Sequence, residues 1–255
     1  MSQVLYTKEG NIAYIKLNKP ENLNAINRTM TRELAKIWVD FRDDSNLWVA
    51  IISGEGESFC VGADIKEMER GKWQFSQSLL FGDDRIGPSN YRIWKPLIAA
   101  VHGHVLGGGL VLALECDIRI TSDNALFGIP EGRVNLPFLF AAFISDYLPR
   151  AIAAELMFTG KPIDAQRAYQ LELVNRVVPY DDLMSTAINM AEEICMNGPL
   201  SNWAAKELFC RCRDMDYHSA LSLVEHIAPP VWNAEDSIEA KQAFIEKRKP
   251  KWKLK

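Results

Sequence analysis

The sequence predicts an α/β fold from three patterns that recur along its 255 residues. Short apolar runs at 12–17, 49–52 and 97–101 have the length of buried strands. Between the first two runs, apolar residues three and four positions apart over 27–41 indicate an amphipathic helix. After residue 140 the apolar spacing becomes helical, and prolines and glycines separate the segments. We therefore expect alternating strands and helices, followed by a helical C-terminal region.

The remaining elements follow from turn residues and apolar spacing. A first strand at 4–6 is joined to the strand at 12–17 by a turn at 9–11, which predicts a hairpin. Residues 69–92 have few core positions and contain glycine-rich turns, which favours a helix and a covering loop over a packed strand. The other predicted elements are strands at 117–121 and ending near 129, and helices at 108–115, 151–158, 164–172, 181–197, 199–213 and 217–228.

Composition limits the class of protein. The hydrophobic fraction of 48% suffices for a sizeable core, and the net charge of -4 argues against a general nucleic-acid binder. The five cysteines include no pair with C-x-x-C spacing, which favours free thiols in a reducing cytosol and no zinc site. The sequence has no apolar run of membrane-spanning length, and its first residues lack a leader pattern. We therefore expect a cytoplasmic protein with no bound metal and no membrane or nucleic-acid partner.

Three consecutive glycines, Gly107, Gly108 and Gly109, lie between an apolar strand and an apolar helix. Because no side chain shields such a turn, its amides can approach negative charge at a helix N-terminus. Dinucleotide and phosphate loops also use glycine-rich turns, but this turn has neither G-x-G-x-x-G spacing nor the G-x-x-x-x-G-K-[ST] pattern. A site for negative charge is therefore favoured over a nucleotide-cofactor site or purely structural glycines.

A second turn of this kind lies upstream in the chain. The apolar run 49–52 is followed by a glycine-containing turn and by the segment 58–68, which begins another helix. Two such turns are able to aim one backbone N–H each at the same point, as in an oxyanion hole. Losing one oxyanion donor typically costs about 2.7–4 kcal/mol of transition-state stabilisation. The pair of turns therefore indicates catalysis through a negatively charged oxygen.

Several short motifs, in order along nearly the whole chain, carry a resemblance to a known family. They are Gly-Ala-Asp-Ile-Lys-Glu-Met at 62–68, Ala-Ala-Val-His-Gly-His-Val-Leu-Gly-Gly-Gly at 99–109, Cys-Asp-Ile-Arg-Ile at 116–120, Phe-Gly-Ile-Pro-Glu at 127–131, Leu-Met-Phe-Thr-Gly-Lys-Pro-Ile-Asp-Ala at 156–165, Leu-Val-Asn-Arg-Val-Val-Pro at 173–179 and Ala-Phe-Ile-Glu-Lys-Arg-Lys-Pro at 243–250. With these motifs the chain resembles the crotonase, or enoyl-CoA hydratase/isomerase, superfamily. The resemblance implies a crotonase-like stacked ββα spiral core over 1–195 and a C-terminal helical oligomerisation region over 196–255. It also implies an acyl-CoA substrate, no separate cofactor, and assembly into homotrimers or homohexamers.

The resemblance assigns roles to residues by their place in these motifs. The two oxyanion donors fall on the amides of Ala63 and Gly108, which would stabilise an enolate more than the neutral thioester. Glu131 takes the place of a catalytic glutamate. Because it follows Pro130 at the end of an apolar segment, it would be desolvated, which raises a carboxyl pKa toward the range useful for proton transfer. The resemblance also implies substrate contacts by Ala25, Ala63, Asp64, Ile65, Lys66 and Gly108. Residues 63–66 would lie along the pantetheine and nucleotide of coenzyme A, and the loop 24–27 would enclose its adenine.

Two positions depart from the hydratases of this superfamily. Their other catalytic glutamate lies two residues after the glycine triplet, where this chain has Val111, and valine cannot hold or activate water. The glycine-rich segment that follows the remaining glutamate is replaced by bulky residues over 132–143, including a Pro-Phe pair at 137–138. This segment looks closer to the single-glutamate enoyl-CoA isomerases. We therefore expect Glu131 to be the main acid and base of an isomerase or an atypical hydratase.

The sequence leaves several alternatives open. An acyl-CoA decarboxylase needs only enolate stabilisation, and a non-catalytic acyl-CoA- or RNA-binding relative needs none. Glu115, one helical turn beyond Val111, is a substitute acid or base, a buried partner of a residue such as Arg119 or a histidine, or an exposed residue at the helix end. His102 and His104 are interpreted as structural, because no third residue has the spacing of a metal ligand.

Overall fold

In the computed structural model, which describes residues 2–69 and 86–255, the chain moves back and forth between two β-sheets. The strands of the larger sheet are β1 (Val4–Glu9), β2 (Ile12–Leu17), β3 (Val49–Gly54), β4 (Leu97–Val101), β6 (Ile118–Ser122) and β9 (Arg176–Val178). The strands of the smaller sheet are β5 (His104–Leu106), β7 (Leu126–Gly128) and β8 (Ile163–Asp164). The larger sheet has the order β1-β2-β3-β4-β6-β9, and the smaller one has the order β5-β7-β8. Strands that follow one another in the chain therefore often lie in different sheets, as a stacked spiral requires.

The described residues form nine α-helices, and each sheet-to-sheet connection before β9 is short or helical. Their bounds are α1 (Arg28–Asp43), α2 (Ile65–Glu69), α3 (Gly108–Leu114), α4 (Arg150–Thr159), α5 (Ala165–Gln170), α6 (Leu183–Met196), α7 (Pro199–Arg211), α8 (Tyr217–Trp232) and α9 (Glu235–Ile245). Short 3-10 helices lie at Pro20–Asn22, Pro88–Tyr91, Glu131–Val134, Leu139–Ala142, Ile144–Asp146 and Tyr180–Asp182.

The larger sheet is covered on both faces, which explains the unbroken apolar runs of its central strands. Side chains of β3 and β4 alternate between two cores, so that Ile52 packs with α1 and Ile51 packs with α6. The first core contains Trp38 and Phe41 of α1, both completely buried. Burying one side chain of this size stabilises the fold by roughly 1.5–3 kcal/mol. The core therefore holds the carboxyl ends of the parallel strands in a rigid frame.

A largely shielded lysine of α7 connects the C-terminal helices to the core. Lys206 of α7 forms an ion pair with Asp117, with 2.7 Å between Nζ and Oδ2, and donates a hydrogen bond to the Lys95 carbonyl at 2.9 Å. Asp117 also accepts a hydrogen bond from the Leu97 amide at the start of β4. This contact ties α7 to the edge where β4 and β6 begin. The division of the chain into 1–195 and 196–255 stays a prediction.

Most predicted elements are confirmed within a few residues, and the fold class is confirmed. One expectation is wrong: α8 does not end before Pro229 and Pro230 but continues to Trp232. The helix continues because the Pro229 carbonyl still accepts the Asn233 amide at 3.0 Å, although the two prolines themselves donate no hydrogen bond. The short strands β8 and β9 and the helix α9 were not predicted.

The helix and covering loop predicted over 69–92 lie mostly outside the described residues. The described end of that segment contains the 3-10 helix Pro88–Tyr91. Across 2–69 and 86–255, no helix has both the length and the apolar character needed to cross a membrane.

We expect Gly109→Ala to destabilise the fold, although alanine favours helices more than glycine does. A methyl group on Gly109 would lie 2.5 Å from the Cys60 carbonyl oxygen and 2.8 Å from its Sγ, which is closer than van der Waals contact. The expected loss in the free energy of unfolding is about 1–3 kcal/mol, as for overpacked cores. Urea denaturation measures it, with Gly132→Ala as the control because its methyl group would come no closer than 3.3 Å to Met157. An unchanged or higher stability of Gly109→Ala would contradict the close contact.

Candidate active site

The glycine turn before α3 brings main chain and carboxylate into contact. Gly107 has φ +52°, a region that favours glycine, and its amide donates to the Gly128 carbonyl at 3.0 Å. A methyl group at Gly107 would collide with Oε1 of Glu131, so this carboxylate lies directly against the glycine. Helix α3 begins at the next residue, Gly108, where the first N–H groups have no acceptor within the helix. The turn therefore combines a helix N-terminus with a nearby carboxyl group.

Glu131 is held in an apolar environment. It begins the 3-10 helix that follows Pro130 and β7, and its Oε2 atom is buried with no hydrogen-bond partner among the described residues. None of the ion pairs between described residues includes it. Burial raises the pKa of Glu131 to about 7, although a hydrogen bond to its own backbone acts in the opposite direction. A carboxyl group in this state exchanges protons readily near neutral pH.

The second predicted turn lies against the first. Gly62 has φ +93°, and a methyl group on it would lie 3.0 Å from the Leu106 carbonyl and 3.3 Å from the Gly108 nitrogen. The next residue is Ala63, so its amide and that of Gly108 belong to touching segments. Neither amide donates to an acceptor in the described parts of the chain. Two backbone donors thus remain available on adjacent segments, and Gly107 of the second segment lies against Glu131.

Main-chain hydrogen bonds hold these two segments side by side. The Cys60 amide donates to the His104 carbonyl at 3.0 Å, and the Leu106 amide donates back to the Cys60 carbonyl at 2.9 Å. The Phe59 amide adds a bond to the His102 carbonyl at 2.8 Å. The segments therefore resist sliding past each other, and their distance is set by backbone contact.

Asn24 and Cys60 hold the turn in place through hydrogen bonds, a role that the sequence did not assign to either residue and that differs from the place of Asn24 in the predicted adenine loop. The Asn24 side chain donates to the carbonyls of Glu55 and Ser58 at 2.9 and 2.8 Å, and the residue is fully buried. Its own carbonyl accepts the Cys60 thiol at 3.1 Å, and burial raises the pKa of that thiol to about 12. Asn24 also has φ +57°, which asparagine tolerates better than most residues. The sequence indication for this role is an asparagine in a turn-rich segment, since asparagine tolerates a positive φ.

The residues predicted to contact coenzyme A lie on the outer side of the same turn. Ala25 is buried, whereas Ile65 and Lys66 at the start of α2 are exposed. Ile26 forms a parallel bridge with Ala63, in which the Asp64 amide donates to the Ile26 carbonyl at 2.8 Å. The segments around Ala25 and Ala63 are therefore adjacent. Asp64 is not an open carboxylate, because Lys19 forms an ion pair with it.

Val111 and Glu115 lie on α3 as the sequence indicates. Val111 is 1% exposed in the apolar core, where its side chain can bind no water. Glu115 accepts a hydrogen bond from the Ser89 amide at 3.4 Å. Arg119 is one of the two partners considered for Glu115, and its guanidinium donates to backbone carbonyls, including Cys116 at 2.6 Å. Its neighbours include main-chain oxygens and an aromatic ring.

The two histidines contact the turn at 56–58. His102 is buried, with Nε2 2.9 Å from the Gly56 carbonyl, and burial lowers its pKa. His104 places Nδ1 3.1 Å from the Ser58 hydroxyl. Within the described ranges, no group of three His, Cys, Asp or Glu side chains is arranged to hold a metal ion. Both histidines help to hold the two turns together.

Comparison with known proteins identifies the family. A family model described as enoyl-CoA hydratase/isomerase matches residues 7–255. The chain belongs to this family, within the crotonase superfamily. It is 34% identical over 252 residues to a short-chain-enoyl-CoA hydratase of Clostridium acetobutylicum, with 98% of this chain and 97% of that protein covered. It is 36% identical over 264 residues to a carnitinyl-CoA dehydratase of Proteus mirabilis, with 99% of both covered.

A solved structure shows the same fold. The enoyl-CoA hydratase from Mycobacterium tuberculosis H37Rv superposes with a TM-score of 0.92 at 33% identity, and the alignment covers 100% of both chains. The family resemblance read from the motifs is therefore confirmed, and so is its association with acyl-CoA chemistry. The roles of Ala63, Gly108 and Glu131 stay predictions.

Glu131→Gln is expected to raise the free energy of unfolding at pH 8 but not at pH 4. The carboxyl group has an ordinary pKa of 4.5 and a folded-state pKa of about 7. Because the folded value is the higher one, stability is full below about pH 4.5 and falls as the pH rises through 7. Glutamine does not ionise, so the variant avoids a loss on the order of 3 kcal/mol.

Urea denaturation at the two pH values measures this difference. Glu155→Gln is the matched control, because Glu155 is an exposed residue of α4. Equal changes in stability for Glu131→Gln at pH 4 and pH 8 would contradict the burial of an ionisable carboxyl group.

Proposed function

We propose that this protein is an acyl-CoA isomerase in which Glu131 alone moves a proton between two carbons of an enoyl thioester. The observation that carries the proposal is the Glu131 carboxyl group, whose Oε2 atom is buried with no hydrogen-bond partner among the described residues and which lies against the glycine turn at the N-terminus of α3. Burial raises its pKa to about 7. A single carboxylate of this kind can take a proton in one step and return it in the next.

The proposed first step removes a proton from C2 of a 3-enoyl thioester. Glu131 takes the proton, and the electron pair of the C–H bond moves toward the thioester oxygen to form a dienolate. The amides of Ala63 and Gly108, which have no other acceptor among the described residues, are proposed to donate to that oxygen. They stabilise the dienolate more than the neutral ester, because charge on the oxygen appears only after the proton has left.

The second step returns the proton from Glu131 to C4, which moves the double bond into conjugation with the thioester. No atom is gained or lost overall. This scheme needs no second carboxylate and no activated water, which agrees with the buried apolar side chain of Val111 at the position of the other hydratase glutamate. The raised pKa of Glu131 suits both the abstraction and the return of a proton at neutral pH.

Hydration by an atypical route is the second candidate, and the relatives favour it. The similar proteins from Clostridium acetobutylicum and Proteus mirabilis are named a hydratase and a dehydratase. In this alternative Glu131 supplies or takes the α-proton while another group orients the water. Decarboxylation of an acyl-CoA and non-catalytic binding of acyl-CoA or RNA remain distinct outcomes of the experiment below.

Further properties are proposed with this function. The coenzyme A part of the substrate is proposed to run past Ala25 and along 63–66, with no separate cofactor or metal. We also propose a cytoplasmic enzyme without membrane or nucleic-acid partners. Assembly into homotrimers or homohexamers agrees with the strongly exposed aromatic side chains of the C-terminal helices, which would be costly to leave in water. These side chains are Phe209, Tyr217, Trp232 and Phe244.

Incubation with 3-enoyl- and 2-enoyl-CoA esters in heavy water tests the reaction. We expect wild-type protein to shift the double bond of a 3-enoyl-CoA, with a mass gain of one deuteron and no added oxygen when Glu131 exchanges its proton with solvent. Glu131→Gln should slow this reaction by about a hundredfold or more, the usual contribution of a general acid or base. Glu155→Gln, an exposed position, should leave it unchanged.

Mass spectrometry separates the alternatives in the same experiment. Added water indicates hydration, and loss of carbon dioxide from a carboxyacyl-CoA included in the panel indicates decarboxylation. Tight acyl-CoA binding without any product would show a non-catalytic relative. Full activity of Glu131→Gln would contradict the assignment of Glu131 as the acid and base.

The pH dependence of kcat/KM for isomerisation should show an acidic limb with a midpoint near 7. Only the ionised form of Glu131 accepts the C2 proton, and its pKa is raised to about 7 by burial. Below that pH the rate should fall about tenfold for each unit. Steady-state kinetics from pH 5 to pH 9 measure this limb, and a midpoint near the ordinary carboxyl value would contradict the assignment.

A further inference from the structure

We propose that Lys19 is a positioning residue: through its ion pair with Asp64 it orients the Ala63 amide and links it to the segment 24–27, where the family resemblance places the adenine of coenzyme A. This inference rests on the proposed function, in which Ala63 donates to the enolate oxygen. It adds a route by which contacts at the nucleotide end of the substrate improve catalysis at the reacting end.

The ion pair is well shielded from water. The Lys19 Nζ atom lies 2.7 Å from Asp64 Oδ2, and the two side chains are 10% and 13% exposed. Burial opposes ionisation of Asp64, but the hydrogen bond and charge of Lys19 outweigh it, so the pKa of this carboxyl lies below its usual range. An ion pair with this little exposure is screened much less by salt than a surface pair.

Asp64 is placed to control the peptide that precedes it. It follows Ala63 directly, and its own amide donates to the Ile26 carbonyl at 2.8 Å. Its Oδ1 accepts the Glu67 amide at 3.3 Å in the first turn of α2. The Asp64 side chain is thus held from two sides, by Lys19 and by α2. The Ala63 N–H belongs to the preceding peptide, whose Gly62 carbonyl accepts the Ile26 amide at 2.8 Å. A shift of the Asp64 side chain would displace the Asp64 backbone and, through the Ala63 Cα, turn this peptide and its N–H.

Lys19 belongs to the same rigid unit as the predicted nucleotide segment. Its amide donates to Asn24 Oδ1 at 2.8 Å, and the Asn24 amide donates to the Lys19 carbonyl at 3.0 Å. Asn24 in turn is anchored to the carbonyls of Glu55 and Ser58. Ala25 is the next residue, so a ligand that contacts Ala25 would also restrain the hydrogen-bonded segment from Lys19 to Asn24 and, with it, the Lys19 ammonium group. The predicted nucleotide site at Ala25 is therefore connected to the Ala63 amide through Asn24, Lys19 and Asp64.

A purely stabilising role predicts a different behaviour. Buried ion pairs often contribute little net stability, because desolvation of both charges offsets their attraction. If Lys19 only stabilised the fold, its loss would lower the melting temperature and leave the turnover of folded protein unchanged. A positioning role requires that kcat falls in protein that remains folded.

The experiment compares two substrates that differ only in the nucleotide. One is the 3-enoyl-CoA that wild-type protein converts fastest, and the other is the same 3-enoyl group on pantetheine, without the nucleotide. The variants are Lys19→Met, Asp64→Asn, their double mutant and Lys19→Arg. Lys16→Met is the control, because Lys16 forms a 3.0 Å ion pair with Glu55 in which the two side chains are 43% and 46% exposed.

We expect Lys19→Met to lower kcat for the full substrate about tenfold to a hundredfold, as small displacements of reacting groups do. KM should change much less. The ratio of kcat values for the two substrates should fall toward one, since the nucleotide no longer acts through Lys19. Asp64→Asn and the double mutant should match Lys19→Met, Lys19→Arg should restore part of the rate, and Lys16→Met should resemble wild type.

Two results would overturn the proposal in separable ways. The positioning role alone is rejected if folded Lys19→Met turns over the substrate at the wild-type rate and keeps the wild-type ratio of kcat values for the two substrates. If Lys19→Met does not fold, the same result in Asp64→Asn rejects it. Absence of any wild-type turnover of enoyl-CoA esters rejects the proposed function and this inference with it. Circular dichroism and thermal unfolding of every variant establish that folded protein is being compared.

Discussion

The whole site depends on main-chain segments that touch without side chains between them. The segment 60–63 lies against 104–109 because Gly62 and Gly109 leave room for direct backbone contact, and a methyl group at either position would press on the opposite segment. Hydrogen bonds between Cys60 and the strand β5 then fix the relative height of the two turns. This contact makes the two turns neighbours, and the Glu131 carboxyl group lies against the second of them at Gly107.

The burial of Glu131 against this backbone contact lowers the stability of the folded protein when its carboxyl group is ionised. A carboxyl oxygen without a partner in an apolar environment destabilises the ionised folded state, and the raised pKa is the measure of that cost. Such exceptions to good hydrogen bonding are expected at functional sites, where stability is supplied elsewhere. Here that stability comes from the large buried side chains of α1 and from the larger sheet, which is packed on both faces.

The family shares its fold across different reactions, so the difference must lie in individual side chains. Val111 is a buried apolar side chain where the family resemblance places a second catalytic glutamate, and Glu131 is the carboxyl group that lies against the glycine turn. Lys19 and Asp64 supply a buried ion pair one residue away from the Ala63 amide. The chemistry proposed for this chain therefore follows from one carboxylate and from the precision with which backbone donors are held.

The sequence by itself determined the fold class, the family, and most helices and strands, because apolar spacing and ordered motifs are local properties of the chain. The motifs also singled out Glu131 as the candidate acid and base. The sequence further indicated that Val111 replaces a carboxylate. Only the tertiary structure showed that Asn24, Cys60 and Lys19 brace the turns, that α8 continues through its two prolines, and that Arg119 binds backbone carbonyls. Those contacts join residues far apart in the chain or depend on φ values and carbonyl positions, which no local pattern encodes.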